Sequence, residues 1–223
     1  MAVRTAQKPH QRYYARDGTL LPGVTTILSV INKPALPVWA NKLGFQRINS
    51  TEFLIHVADA GTLSHHLIEA RLTGAEQDAS GYDDDQVSMA QNALSSFGAW
   101  AEGKSLETHE TELVLVSEAH RYGGTLDWFG LVDGTPCLID FKTSARIFDD
   151  HLFQLSAYFQ LLTENGYEVA EARIVRLSRD AGEEFSERVL SSSEIEPYFA
   201  VFKAALNLYN AMKVATKRGA RRW

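Results

Sequence analysis

The alternation of apolar and polar residues is clearest in the middle of the chain, where two runs predict a β-hairpin. The runs flank Asp133-Gly134, and this dipeptide is the strongest short signal for a two-residue type I′ turn. With these two residues as the loop, the register places Asp127 directly opposite Asp140. Because side chains alternate along a strand, Lys142 points to the same face as Asp140. The pattern therefore predicts a hairpin that presents two carboxylates and one ammonium together, at the end away from its turn.

Apolar periodicity predicts the other elements of the chain. A spacing of three to four residues indicates helices over residues 36–48, 52–72, 87–100, 151–164 and from 194 past 212. Alternation indicates strands over residues 106–116, 172–177 and 185–190. In the second helix we expect a break at Gly61, because glycine disfavours a helix interior. The order of these elements predicts an α/β domain with a mixed central sheet flanked by helices.

Three consecutive acids at residues 83–85 could be mistaken for a metal site. They directly precede a helical pattern that starts at Val87, and acids are favoured at helix N-termini. We therefore interpret them as capping residues.

The charged face of the hairpin needs an explanation beyond a surface ion pair. Like charges directly opposite each other destabilise a sheet, and Asp140 lies within the apolar run 137–141, as in a strand covered on both faces. A carboxylate buried there is costly unless it is paired or binds a metal. An Asp beside a Lys on one strand is more commonly a weak surface pair. Opposed oxygen ligands nevertheless favour a site for Mg²⁺ or Mn²⁺.

Composition and cysteine usage narrow the class of protein. The chain has 223 residues, of which 45% are hydrophobic and 22% are charged, so we expect one soluble domain with an ample core. No apolar run approaches the roughly 20 residues of a membrane span, and the first residues show no apolar signal segment. The single cysteine, Cys137, excludes an intramolecular disulfide framework and fits a reducing compartment. We therefore expect a cytoplasmic protein without a membrane partner.

The formal net charge of −6 is unusual for a DNA-binding protein, but basic residues collect at the two ends of the chain. Residues 1–16 carry four Lys and Arg residues and residues 213–223 carry five, with no acid in either segment. Basic ends on an acidic body are compatible with phosphate contact and equally with solvated tails.

The hairpin and its flanking helices resemble the PD-(D/E)XK nuclease superfamily. Asp127, followed by residues 140–142 (Asp-Phe-Lys), resembles the core motif of an acid on one strand and (D/E)-x-K on the next. Residues 61–65 resemble the upstream G-x-x-x-H element of the RecB-like branch, and residues 154–158 resemble its downstream Q-x-x-x-Y helix. The four elements follow the order and approximate spacing of the superfamily. A looser similarity to phage-type exonucleases extends to residues 22–28.

The resemblance implies a restriction-endonuclease-like αβββαβ core and a single nuclease domain over residues 1–223. We expect an N-terminal helical addition over 1–60, a catalytic core over 61–190, and a C-terminal helix with a basic tail over 191–223. The implied activity is metal-dependent hydrolysis of DNA phosphodiester bonds, by an exonuclease of DNA recombination, repair or phage DNA processing, in a bacterial or phage-infected cell. Because the chain lacks the cysteines of the Cas4 group, no iron–sulfur cluster is expected.

The resemblance also implies a metal site of one or two Mg²⁺ or Mn²⁺ ions. Asp127 and Asp140 are the expected carboxylate ligands and are catalytic residues in that sense. His65 and the Phe141 carbonyl complete the expected coordination. Either Glu110 or Glu112, on the preceding strand, could join them, because neighbouring strands lie about 4.8 Å apart. The sequence does not choose between the two glutamates.

The remaining expected roles concern the attacking water and the substrate. Lys142 would contact the attacking water and the phosphate. The substrate-binding residues are expected to be Gln154, Tyr158, Thr143 and Ser144. Glu69 lies four residues after His65 on the same helix face and could orient it.

Other functions fit the same sequence. The chain could be a non-catalytic nucleic-acid-binding or assembly protein on this fold, although an intact set of motif residues speaks against it. It could instead be a nuclease subunit that is active only with a helicase, a recombination protein or a single-strand annealing protein, because it has no P-loop of its own. A metal-dependent phosphatase is a further alternative. Exonuclease or endonuclease action, polarity, strand preference and oligomeric state stay open.

Overall fold

The computed structural model describes residues 11–182 and 184–219, and a five-stranded mixed sheet forms its centre. The strands of this sheet are β3 (Leu106–Ser117), β4 (Tyr122–Val132), β5 (Thr135–Lys142), β6 (Glu171–Arg176) and β7 (Ser186–Ser191). A two-stranded ribbon, β1 (Tyr13–Tyr14) and β2 (Leu20–Leu21), precedes it. The helices are α1 (Val24–Leu28), α2 (Ala35–Phe45), α3 (Ser50–Thr73), α4 (Asp84–Ala101), α5 (Asp149–Glu164) and α6 (Ser192–Gly219). The predicted α/β class and the predicted order of elements are confirmed.

The strand order in the sheet is β3-β4-β5-β6-β7, the same as their order along the chain. The first three strands form an antiparallel meander. Strand β6 runs parallel to β5, and β7 is antiparallel to β6. Parallel neighbours need a crossover connection, which α5 provides. The arrangement places the carboxyl end of the central strand β5 and the start of α5 at the same end of the strands.

The central hairpin has the predicted register and turn. Val132 pairs with Thr135, and the two loop residues have positive φ angles of 51° at Asp133 and 82° at Gly134. Positive φ at both positions is the signature of a type I′ turn. From the turn, the backbone pairing of β4 with β5 extends to Trp128 and Ile139, one residue short of Asp127.

Helices cover both faces of the sheet. On one face, α1, α5 and α6 pack against it in a core that includes Leu138, Leu155 and Phe202. On the other face, α3 and α4 pack against a second cluster that includes Ile139 and Trp100. Adjacent residues of β5 therefore face different cores, as the continuous apolar run around Asp140 predicted. Within the described residues, no helix has the length and apolarity needed to cross a membrane.

Helix α3 differs from its prediction, because it continues through Gly61 without a break. A Cβ at Gly61 would lie 3.1 Å from Thr143 Oγ1, so the glycine lets α3 approach the end of β5. Close approach between elements is the reason for this glycine, and the expected break was wrong. The boundary predicted between residues 60 and 61 falls inside this helix.

The acids at residues 83–85 cap α4, as predicted. The Asp83 side chain accepts hydrogen bonds from the amides of Asp85 and Gln86, and the Gln86 side chain accepts one from the Asp83 amide in return. Such a reciprocal pair satisfies amides at the helix N-terminus. Of the basic ends, Arg4, Lys8, Arg221 and Arg222 lie outside the described residues.

Candidate active site

Three side chains that can bind a metal ion converge on the open end of the hairpin. His65 projects from α3, Glu112 from β3 and Asp127 from β4, and one ligand atom of each lies within 4.8 Å of the others. An imidazole and two carboxylates form a ligand set that suits a divalent ion such as Mn²⁺. The sequence predicted His65 and Asp127 as ligands and left Glu110 and Glu112 open, and the structure brings Glu112 to the group.

Asp127 lies where the backbone ladder between β4 and β5 stops. Its Oδ2 accepts a 2.8 Å hydrogen bond from the Phe141 amide and lies 3.5 Å from His65 Nδ1. Burial would raise the pKa of Asp127, but His65, Lys142 and the Phe141 amide together hold it below its ordinary value. Burial likewise opposes protonation of His65, and the neighbouring Asp127 outweighs it and raises the His65 pKa. The interaction between Asp127 and His65 therefore favours an ionised Asp127 carboxylate in the metal-free site.

Asp140 lies beside this cluster and is paired with Lys142. Only 1% of the Asp140 surface is exposed, and its Oδ2 lies 2.6 Å from Lys142 Nζ. Its other oxygen, Oδ1, accepts no hydrogen bond from the described residues. Burial raises the pKa of Asp140 to about 6, although Lys142 opposes the shift. A buried carboxylate with unsatisfied lone pairs is the environment into which a divalent cation fits.

Lys142 is held between two carboxylates. Its burial would lower the pKa of the ammonium, but Asp140 and Asp127 outweigh burial and raise it. Lys142 is therefore a cation in the metal-free site. Asp140 is not part of the His65, Glu112 and Asp127 group, so the structure brings only two of the predicted carboxylate and imidazole ligands together directly.

Glu112 lies opposite Asp127, between the pairs that Thr111 forms with Trp128 and Leu113 forms with Leu126 across β3 and β4. The pairing of β3 with β4 shifts register between Thr108 and Glu110, and Glu112 has a φ angle of 49°. A non-glycine residue in this left-handed region costs about 1–3 kcal/mol and is often found at a functional site. Glu110 pairs opposite Phe129 and is not in the group. Glu110 and Glu112 are two residues apart, so alternation along the strand places both on one face and could not choose between them.

The helix α5 contributes the predicted Gln154 and Tyr158. Gln154 Nε2 donates a 2.8 Å hydrogen bond to the Tyr158 hydroxyl. A Cβ at Gly124 would lie 2.6 Å from a ring carbon of Tyr158, so this glycine makes room for the ring. Burial raises the pKa of Tyr158 well above its ordinary value, and Asp140 and Asp127 raise it further. The tyrosine therefore keeps its proton beside the carboxylates.

A cleft of about 990 Å³ opens onto this site. Its lining includes His65, Glu112 and Lys142, the predicted Thr143 and Ser144, and Arg179, which the sequence analysis missed. The wall on the far side of the cleft is apolar and comes mainly from α2 and the start of α3.

Two further residues, Glu69 and Phe141, had expected roles at the metal site. Glu69 accepts a hydrogen bond from the Thr111 hydroxyl at 3.3 Å, so it connects α3 to β3 and does not orient His65 as expected. The Phe141 carbonyl stays a predicted oxygen ligand of the metal.

Comparison with known proteins gives structural likeness at low sequence identity. No protein-family model matches the sequence, and no curated protein is significantly similar to it. An alkaline exonuclease from Laribacter hongkongensis (LHK-Exo) has a TM-score of 0.34 at 15% identity, over 72% of this chain and 87% of that one. A structure of LHK-Exo in complex with dAMP gives 0.39 at 16% identity, over 74% and 86%. A Eubacterium rectale protein with a provisional exonuclease assignment gives 0.45 at 9% identity, over 68% of each chain. Because all three scores are low, the function proposed below rests on the geometry of the site.

Proposed function

We propose that this chain is a metal-dependent PD-(D/E)XK deoxyribonuclease that hydrolyses DNA phosphodiester bonds. One observation carries the proposal. The buried Asp140 carboxylate, whose Oδ1 has no donor among the described residues, lies with its partner Lys142 beside the His65, Glu112 and Asp127 group at the end of an open cleft. A structural ion network would have its oxygens satisfied by protein donors.

The donor set fits one or two Mg²⁺ or Mn²⁺ ions. Asp127, Glu112 and His65 would hold the metal, and Asp140 and the Phe141 carbonyl would supply further oxygen ligands. When bound, a divalent ion lowers the pKa of a water molecule and stabilises the charge that develops on the phosphate. A carboxylate-rich site with one imidazole is compatible with Mg²⁺ and is well suited to Mn²⁺.

Lys142 is the proposed contact of the attacking water, as an electrostatic guide or as a general base. It is charged in the metal-free site, because two carboxylates raise its pKa, and it lines the cleft where a phosphate would enter. An ammonium placed there orients the attacking water and attracts the phosphate oxygens. This direction of the pKa holds for the metal-free site, and a bound dication would disfavour the ammonium form, so the geometry also supports general-base action by Lys142.

The helix α5 positions the substrate. Because Gln154 donates to the Tyr158 oxygen, the hydroxyl proton of Tyr158 is free to donate to a phosphate oxygen. Thr143 and Ser144 follow β5 and line the cleft, so their hydroxyl groups are placed to contact the sugar-phosphate chain. The Ser144 hydroxyl donates to the Arg146 carbonyl, and a phosphate contact would replace that hydrogen bond. These four residues are the proposed substrate contacts.

The sequence resemblance supports a finer proposal, that the enzyme acts at DNA ends as an exonuclease. The same resemblance supports a place in recombination, repair or phage DNA processing. The sequence contains no P-loop for ATP. Action together with a helicase or a single-strand annealing protein is consistent with this, because the partner would supply any ATP-driven step.

Purified protein incubated with end-labelled linear DNA and covalently closed circles, each single- or double-stranded, tests this function. We expect degradation of linear DNA in Mn²⁺ and Mg²⁺, survival of closed circles, and no cleavage in EDTA. Undiminished cleavage in excess chelator contradicts the metal mechanism. Rapid linearisation of circles contradicts exonuclease action while it leaves a nuclease in place. A phosphatase would instead hydrolyse a small phosphoester and leave internal DNA bonds intact.

A further inference from the structure

The cleft beside the active site has an apolar wall that the proposed chemistry does not use. We define the apolar wall as five cleft-lining side chains, Leu36, Trp39, Phe53, Leu54 and Phe148. Two of its aromatic rings are well exposed, with 39% of Phe53 and 37% of Phe148 accessible to solvent. The wall therefore presents open ring faces next to the residues that would hold the scissile phosphate.

Folding alone does not account for the apolar wall. Helix α2, which carries Leu36 and Trp39, buries none of its residues. A surface helix normally turns its apolar stripe into the core, where burial stabilises it. Trp39 contacts Phe53 of α3 instead, with ring centroids 5.9 Å apart at an angle of 55°. Exposed apolar patches of this kind mark binding surfaces.

The charges around the cleft argue against an intact duplex as its occupant. Among the residues that the structure describes, the cationic side chains that line it are Lys142 and Arg179. A groove for duplex DNA needs many Lys and Arg contacts, because the duplex presents its phosphates outward. The bases of a duplex are stacked on each other and are not available to an aromatic wall. Unpaired bases are available, and aromatic side chains stack on them regardless of sequence.

The position of Phe148 connects the apolar wall to the catalytic elements. Phe148 is the N-cap residue of α5, the helix that carries Gln154 and Tyr158. Its ring lies 4.9 Å from the Arg146 guanidinium. Phe148 therefore joins the apolar wall to the helix that carries two of the proposed substrate contacts.

We propose that the apolar wall stacks unpaired bases, so that this site takes single-stranded or frayed DNA ends and not intact duplex. The inference rests on the proposed nuclease function and adds its substrate class. Trp39 and Phe53 are the stacking residues, and they act in binding the substrate, away from the reacting atoms.

Fluorescence anisotropy with labelled oligonucleotides tests the apolar wall. The probes are a thymidine oligonucleotide, an abasic oligonucleotide of equal length, and a blunt duplex, each in Ca²⁺ with their integrity checked on a gel. Wild-type protein should bind the thymidine probe at least tenfold tighter than the other two. Trp39→Ala should weaken that binding by roughly 5- to 150-fold, the range for one lost stacking contact. Its affinity for the abasic probe should not change.

Controls on the same elements separate stacking from folding. Phe45→Ala removes an aromatic side chain that is 83% exposed on α2 but does not line the cleft, so it should bind like wild type. Trp39→Phe keeps a ring and should retain most of the affinity. Phe53→Ala provides a second variant of the wall, which keeps the test valid if Trp39→Ala does not fold.

Several outcomes overturn the inference. Equal affinity for the thymidine and abasic probes, or equal effects of Trp39→Ala and Phe45→Ala on binding, would show that the apolar wall does not stack bases. A wild-type dimer that dissociates in Trp39→Ala, measured by sedimentation, would show that a second copy covers the wall. Cleavage in Mn²⁺, measured in parallel, separates the two claims. Base-dependent binding without cleavage refutes the nuclease alone, and cleavage without base dependence refutes the wall alone.

Discussion

Replacement of Asp140 by Asn should make the metal-free protein more stable at neutral pH. The carboxylate is 1% exposed, and its folded pKa of about 6 lies above the ordinary value of 3.8. A raised pKa means that the ionised form is disfavoured by folding, by about 1.4 kcal/mol per unit. The difference of roughly 2 units corresponds to about 3 kcal/mol at pH 7, which is an upper limit because the Lys142 pair is also lost.

The sign of the pH dependence follows from the same shift. At pH values above 6 the folded protein carries the full cost of the ionised Asp140. As the pH falls from 6 towards 3.8, the folded state binds a proton before the unfolded state does, so the cost disappears. The stability advantage of Asp140→Asn should therefore be largest near pH 7.5 and should fade towards pH 4.

Denaturant unfolding of both proteins in EDTA, across this pH range, measures the effect. An advantage of about 3 kcal/mol corresponds to a rise in Tm of roughly 6–12 °C for a chain of this size. Asp149→Asn makes the same chemical change at an exposed position of α5, and it should shift stability by less than about 0.5 kcal/mol. With Mn²⁺ present, wild type should gain stability by ligand binding and the Asp140→Asn variant should gain less.

A less stable Asp140→Asn protein in EDTA would refute the reasoning. So would a difference between the two proteins that does not change with pH. Either result would mean that Asp140 is satisfied by its ion pair with Lys142, as a structural residue is, and that no metal is needed to compensate for its burial.

Three further substitutions follow from the geometry. Glu112→Gln should weaken Mn²⁺ binding in calorimetry by about tenfold or more, whereas Glu110→Gln, two residues away on the same strand, should not; equal effects would remove Glu112 from the site. Gly61→Ala should change the free energy of unfolding by less than about 1 kcal/mol, because better helix propensity offsets the contact with Thr143, while the KM for DNA rises; an unchanged KM would contradict the close-approach account. Tyr158→Phe should lower turnover about tenfold with Mn²⁺ affinity unchanged, and full activity would exclude its phosphate contact.

The hairpin was predictable because its determinants are local. The turn chemistry of Asp133-Gly134 sets the register, and the register places Asp127 and Asp140 at the same end. The side-chain alternation of β5 then puts Lys142 beside Asp140, as the 2.6 Å ion pair shows. The helices were predictable for the same reason, since their apolar periodicity is read over one or two turns.

Features that depend on contacts between distant segments were not predictable. Glu112 reaches the site because the pairing of β3 with β4 sets it opposite Asp127, where it has a positive φ. Gly61 reads locally as a helix breaker, but its role is set by Thr143, 82 positions away. The apolar wall is invisible to periodicity, because an exposed apolar stripe on α2 has the same pattern as a buried one.

The central claim is that Lys142 acts on the phosphodiester bond beside a metal held by neighbouring carboxylates. The most direct test is the single-turnover cleavage rate of end-labelled linear DNA by Lys142→Ala and wild type at saturating Mn²⁺. Because the substitution leaves the proposed metal ligands in place, Mn²⁺ should still bind, while the rate should fall by about 10² or more. Cleavage by Lys142→Ala at the wild-type rate would contradict the claim, and the Asp127, Asp140 and Lys142 cluster would then be a structural ion network.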